Sequence, residues 1–98
     1  MVCDYCGLNG ICEPIDMFPL PRIDDLIIGQ TKYLTKLDAM NGYLAVPLDK
    51  KSVSYSALVL AHGLFQWRYM AYGLKSAAAT YSRTMSKLLH NCHNFARA

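Results

Sequence analysis

Charge is scarce in this sequence. Of its 98 residues, 17% are charged, with ten Lys and Arg against seven Asp and Glu, while 53% are hydrophobic. A domain this small has a high ratio of surface to volume and ordinarily carries more charge on it. The shortage predicts that part of the apolar surface is covered by further chain or by a partner. Also missing is any apolar run approaching the roughly 18–20 residues of a membrane-spanning helix. The first residues lack the basic region and long apolar core of a secretory signal. These absences argue against a membrane role and predict an intracellular chain, cytoplasmic or nuclear. A net charge of +3 is compatible with a nucleic-acid partner without requiring one.

Without a secretory signal, the four cysteines Cys3, Cys6, Cys12 and Cys92 are read as reduced thiols rather than as a disulfide framework. Cys3-x-x-Cys6, with Cys12 and the later His90, Cys92 and His93, also invites a zinc module. On a strand, however, Cys3 and Cys6 would point to opposite faces.

Along the chain, residues 1–8 suggest a short strand, and Asn9-Gly10 is a turn signal. Pro21 suits the first position of a short amphipathic helix that ends at Gly29, with Asp24 and Asp25 in its positive first turn. Neighbouring carboxylates diverge by about 100° on a helix, so this pair is read as helix-start charge and not as a catalytic dyad. Residues 43–48 begin as a helical turn and become extended at Val46, before Pro47. Residues 49–52 form a polar turn. Residues 53–61 and 64–70, divided by His62-Gly63, read as a β-hairpin with Phe65, Trp67 and Tyr69 on one face. Residues 75–91 are the clearest helix: Ser76 as cap, Ala77, Ala78 and Ala79 as strong helix formers, and Tyr81, Met85, Leu88, Leu89 and Cys92 as an apolar stripe.

The pivotal stretch is residues 33–43. Tyr33, Leu34, Thr35 and Leu37 predict a strand, and Asp38 ends it, where a carboxylate can reach water or a metal. Gly42 then allows backbone N–H groups to approach an anion, and Tyr43 follows it.

In this order the signals resemble the fingers and palm of a reverse transcriptase from long-terminal-repeat retrotransposons, most like the gypsy type. Asp4-Tyr5-Cys6-Gly7-Leu8-Asn9 is similar to the family's Asp-Tyr-Arg-x-Leu-Asn. Phe18-Pro19-Leu20-Pro21-Arg22-Ile23-Asp24-Asp25-Leu26 matches its Tyr-Pro-Leu-Pro-Arg-Ile-Asp-Asp-Leu. Lys32 to Asp38 with Gly42-Tyr43 resembles the first carboxylate motif. The run from Gly63 through Tyr72-Gly73-Leu74-Lys75 to Ala79-Thr80-Tyr81-Ser82-Arg83-Thr84-Met85 matches the segment that supports template and incoming nucleotide.

The resemblance implies an α+β fold: a partial right-hand polymerase with antiparallel strands packed on two or three helices, spanning residues 1–98. It implies that Asp38, with the Ala39 carbonyl, binds catalytic Mg²⁺ in a two-metal nucleotidyl transfer. Asn41 and Gly42 would offer N–H groups to the triphosphate. Tyr43 would lie under the sugar and exclude a ribose 2′-hydroxyl. Tyr72 and Gly73 would line the nucleotide pocket. The implied partners are an RNA or DNA template-primer, a deoxynucleoside triphosphate and the remainder of the polymerase palm.

Departures from the family pattern qualify this. The Tyr-x-Asp-Asp motif is absent, so the chain is expected to stop short of it. One carboxylate cannot hold two Mg²⁺ ions. Cys6 stands where the family has an arginine able to grip phosphate, and Ala71 and Ala78 replace family prolines. The isolated chain is therefore expected not to polymerise, and to be marginally stable with an exposed sheet edge. A second reading is a non-catalytic nucleic-acid-binding or interaction remnant of a degenerate retroelement, using Lys32, Lys36, Lys50, Lys51, Arg68 and Lys75 among aromatics.

Overall fold

The computed structural model describes residues 3–13, 17–20, 22, 32–92, 94 and 96. The helix expected over residues 21–28, with Asp24 and Asp25, lies outside the described residues apart from Arg22.

The chain opens with a helix rather than the expected strand and Asn9-Gly10 turn. Helix α1 spans Cys6–Ile11. The Asp4 carboxylate accepts from the Cys6 backbone N–H at 2.9 Å and satisfies a donor that a helix start leaves free. Backbone bonds from Asn9 to the Tyr5 carbonyl and from Cys12 to the Leu8 carbonyl complete the turns. The Asn9 side chain, which would have shaped a turn, is used elsewhere in the fold.

Residues 33–39 form no strand or other regular element, so the strand expected before Asp38 is corrected. Tyr33, Leu34, Leu37 and Met40 are all exposed. β-forming side chains favour an extended backbone, but a strand requires a neighbour to receive its hydrogen bonds. Among the described residues none pairs with this stretch.

Asn41 adopts the left-handed region at φ 54° and leads into a 3₁₀ turn over Gly42–Ala45. Val46 is extended, as the residue before a proline should be. Pro47 makes an isolated antiparallel bridge with Tyr69. The N–H groups used there are those of Leu48, to the Arg68 carbonyl, and Met70, to the Val46 carbonyl. Pro47 can sit in this pairing because no donor is asked of it.

The polar turn after it is built on Asp49, whose carboxylate accepts from Lys51 N–H and whose carbonyl accepts from Ser52 N–H. A 3₁₀ turn over Val53–Ser56 follows. The hairpin is shorter than expected: β1 spans Leu58–Leu60 and β2 spans Gly63–Phe65, antiparallel, with Val59 opposite Leu64. Ser56 is drawn out of the hairpin by its hydroxyl, which donates to the Val53 carbonyl at 2.6 Å and accepts from Trp67 N–H at 2.9 Å. Of the three aromatics expected on one face, Trp67 is half-buried while Phe65 and Tyr69 are exposed.

Helix α2 spans Ala77–Leu88 and continues into a 3₁₀ turn over His90–Cys92. Ser76 occupies the cap position, but its side chain makes no capping hydrogen bond. Ala77 and Ala79 are buried, so their small size serves close packing as well as helix propensity. Tyr81, Met85, Leu89 and Cys92 are half-buried along one side, whereas Leu88 is 70% exposed and falls off the expected stripe. Among the described residues the core is small: Tyr5, Met70, Ala71, Ala77 and Ala79, with one buried polar residue, Ser56. Tyr5 joins the N-terminal segment to this core by donating its hydroxyl to the Ser56 carbonyl at 3.1 Å.

Candidate nucleotide site

The residues singled out from the sequence fall into two groups. Asp38 and Ala39 lie exposed in the irregular stretch before Met40, and Asp38 makes no hydrogen bond to any described residue. Gly42, Tyr43, Tyr72 and Gly73 are brought together by packing. The Tyr43 ring lies 5.3 Å from that of Tyr72, tilted by 33°, and 5.3 Å from that of Tyr81, edge-on at 60°. Offset and edge-to-face pairs at this separation are favourable arrangements for aromatic quadrupoles. All three rings are half-buried, so each keeps surface available to a ligand.

Gly42 is required by its neighbour. A Cβ at this position would lie 2.6 Å from the Tyr81 hydroxyl oxygen and 2.7 Å from the ring carbon that bears it. The 3₁₀ turn therefore sits directly on helix α2, and Tyr81 backs both Gly42 and Tyr43. Asn41, with its positive φ, turns the backbone into this contact.

Gly73 has φ +95°, a conformation open to glycine and costly for other residues. The Asn9 amide grips both sides of this turn, donating to the Gly73 carbonyl at 2.8 Å and accepting from Lys75 N–H at 2.9 Å.

Two residues of this constellation lie in matched motifs but are given no role of their own by the sequence. Tyr81 reads as part of an apolar helix stripe, and nothing in the spacing links it to Gly42. Asn9 reads as a turn former; its place at the end of the Asp-Tyr-x-x-Leu-Asn motif is the signal that could have revealed it.

The donor set for a metal is partial. Among the described residues no group of three or more His, Cys, Asp or Glu could hold an ion. Asp38 and the Ala39 carbonyl are oxygen donors of the kind Mg²⁺ prefers, but they fill only part of an octahedron. The four cysteines are free thiols. The hydrogen bond between the Cys6 thiol and Asp4, and then the carboxylate charge, push the Cys6 thiol up, and the same bond holds Asp4 down. A protonated thiol supplies no positive charge for phosphate. Burial, and then Cys3, push the Tyr5 phenol up.

A separate cleft of about 420 Å³ beside α1 is lined by Leu8, Ile11, Leu48, Tyr55 and Leu74 among others, and none of the expected site residues lines it. Among the described residues no helix is long and apolar enough to cross a membrane.

Residues 1–97 match the family described as reverse transcriptase (RNA-dependent DNA polymerase). The chain belongs to that family. It is 33% identical over 91 residues to the retrovirus-related Pol polyprotein from transposon 297 of Drosophila melanogaster, covering 91% of this chain and 8% of that protein. It is 36% identical over 88 residues to the corresponding polyprotein from transposon 412 of the same organism, covering 88% of this chain and 7% of that one. It is also 34% identical over 92 residues to an RNA-directed DNA polymerase homolog of Oenothera berteroana, covering 92% of this chain and 64% of that protein. The chain thus spans less than two thirds of the length of each. No solved structure matches it.

Proposed function

We propose that this chain is a fingers and palm segment of an RNA-directed DNA polymerase from a gypsy-type retrotransposon Pol polyprotein. Gly42, Tyr43, Tyr72 and Gly73 form one wall of its deoxynucleotide pocket. The observation that carries this reading is the packing of Tyr43 between Tyr72 and Tyr81, over a glycine that admits no side chain.

Each residue has a task that its chemistry suits. The N–H groups of Asn41 and Gly42 donate to the triphosphate, which the bare Gly42 can approach closely. Tyr43 presents a braced ring to the sugar, and a ring that cannot retreat excludes the extra hydroxyl of a ribonucleotide. Asp38 and the Ala39 carbonyl would hold part of the shell of a Mg²⁺ ion, which supplies charge neutralisation for nucleotidyl transfer when bound. The exposed Lys32, Lys36, Lys50, Lys51, Arg68 and Lys75 favour the phosphate backbone of a template-primer. With a single metal carboxylate in place, the chain alone binds nucleotide without extending a primer.

The test is equilibrium binding of dCTP and of CTP, each with Mg²⁺, to the 98-residue chain. The expected result is a preference for dCTP that Tyr43→Ala removes. Equal affinities in the unsubstituted chain would sink the pocket reading. Primer extension by the chain alone, abolished by Asp38→Asn, would sink the claim of inactivity.

A further inference from the structure

The amide of Asn9 crosses the fold to the turn that carries Tyr72. Its Nδ2 donates to the Gly73 carbonyl and its Oδ1 accepts from Lys75 N–H, at 2.8 and 2.9 Å. Both partners are backbone groups of fixed polarity, so the amide can stand only one way round. The turn has little freedom on its other side. A Cβ on Gly73 would lie 3.0 Å from the Cys3 carbonyl oxygen and 3.6 Å from the Tyr5 ring. The N-terminal segment therefore holds Gly73 by close contact and by the Asn9 bridge together. Tyr72 immediately precedes Gly73, so the orientation of this backbone decides where the Tyr72 ring points, and that ring faces Tyr43 at 5.3 Å.

We propose that Asn9 is a positioning residue for the nucleotide wall: by bridging the Gly73 carbonyl and Lys75 N–H it holds the turn so that Tyr72 stands against Tyr43. This rests on the reading of Tyr43 and Tyr72 as the wall of the pocket. Asn9 acts through the backbone of its partners. Helix α1 becomes the mount of that amide, and the motif that ends in Asn9 has a task at a distance from its own segment.

The alternative is a plain structural tie that fastens α1 to the rest of the fold. The two differ in what moves when the bridge is cut. Loss of a tie lowers stability and leaves the Tyr72 ring and the nucleotide affinity where they were. Loss of a positioning bridge displaces the ring.

Two variants separate them. Asn9→Ala removes both hydrogen bonds. Asn9→Asp keeps an oxygen for Lys75 N–H but sets a carboxylate against the Gly73 carbonyl, so it breaks the Gly73 half alone, and it carries the test if Asn9→Ala does not fold. The measurements are the nuclear Overhauser contacts between the Tyr72 and Tyr43 rings and the Kd for dCTP with Mg²⁺, both on the 98-residue chain. In both variants the ring contacts are expected to weaken while α2 amide resonances keep their positions. Kd is expected to rise about tenfold, the factor that one or two net hydrogen bonds at a positioned group can supply. Unchanged ring contacts and unchanged Kd, with only a lower melting temperature, overturn the proposal. Failure of the unsubstituted chain to bind dCTP overturns the pocket reading instead, and the ring contacts then still decide whether Asn9 sets Tyr72.

Discussion

Gly42 and Tyr81 occupy adjoining space so closely that one defines the other: a methyl group on Gly42 would meet the Tyr81 hydroxyl oxygen at 2.6 Å. The ring of Tyr81 also packs edge-on against Tyr43, so it cannot swing aside without disturbing that contact. Gly42→Ala is expected to cost ~1–3 kcal/mol of stability, the usual range for overpacking a fitted site. Tyr81→Phe should relieve this only in part, because the ring carbon that bears the hydroxyl is itself 2.7 Å from the added methyl. Tyr81→Leu should relieve more. Urea denaturation of the single and double variants gives the coupling energy. Additive effects would show that the two residues do not compete for space.

The buried knot around Ser56 should rank two substitutions. Tyr5→Phe removes one donor to the Ser56 carbonyl and should cost about 1 kcal/mol. Ser56→Ala removes a 2%-exposed hydroxyl that both accepts from the backbone N–H of half-buried Trp67 and donates to the Val53 carbonyl, and should cost more, about 1–3 kcal/mol. Chemical denaturation that reverses this order would show that the hydroxyl of Ser56 is not what holds Trp67.

The Tyr5 phenol should make the chain sensitive to alkali. Burial first, and Cys3 second, raise its folded-state pKa above the ordinary 10.0. The folded chain therefore keeps its proton where the unfolded chain has lost it. This contribution is fully present below the unfolded value and is lost as pH rises through the folded one. Unfolding free energy should fall above about pH 10, and less steeply in Tyr5→Phe. Parallel pH profiles for the two proteins would exclude Tyr5 as the cause.

Asp4 should control the reactivity of Cys6. The hydrogen bond between them and the carboxylate charge raise the thiol pKa, and Cys6 is exposed. Since the thiolate is the nucleophile, Asp4→Asn should speed alkylation of Cys6 several-fold at mildly alkaline pH. Peptide mass spectrometry after a brief iodoacetamide pulse reads the rate residue by residue. An unchanged Cys6 rate would show that the pair does not persist in solution.

Asp38 should matter to ligand binding and not to folding. It is exposed and makes no hydrogen bond to any described residue, so Asp38→Asn should change stability by less than about 0.5 kcal/mol. The same substitution should remove the Mg²⁺ dependence of dCTP binding. Titrations with and without Mg²⁺ give both curves, and an equal Mg²⁺ effect in both proteins would place the ion elsewhere.

What could be read in advance was local. The helix in residues 75–91 and the hairpin around His62-Gly63 follow from short-range pattern, and the helical turn that becomes extended before Pro47 follows from sterics between neighbours. The strand expected before Asp38 failed because pairing depends on a second segment, which no propensity supplies. Helix α1 was missed because a helix this short is held by Asp4 at its start and by distant partners of Asn9, which no local run of residues reveals. The site divides in the same way. Gly42, Tyr43, Tyr72 and Gly73 could be assigned roles from motifs matched to a family; Tyr81 and Asn9 stand in such motifs too, but what each touches depends on contacts distant in sequence.

Those distances also set the order of events during synthesis. Asn9 and Gly73 are separated by 64 positions, and Tyr5 and Ser56 by 51. A ribosome adds about 5–20 residues per second, so several seconds pass between the emergence of Asn9 and that of the turn it grips. Throughout that interval α1 lacks the Asn9 bridge, and a helix this short does not persist on its own. The Asn9 bridge therefore cannot close until Gly73 and Lys75 have been made, and the two halves of the fold that it joins must wait for each other.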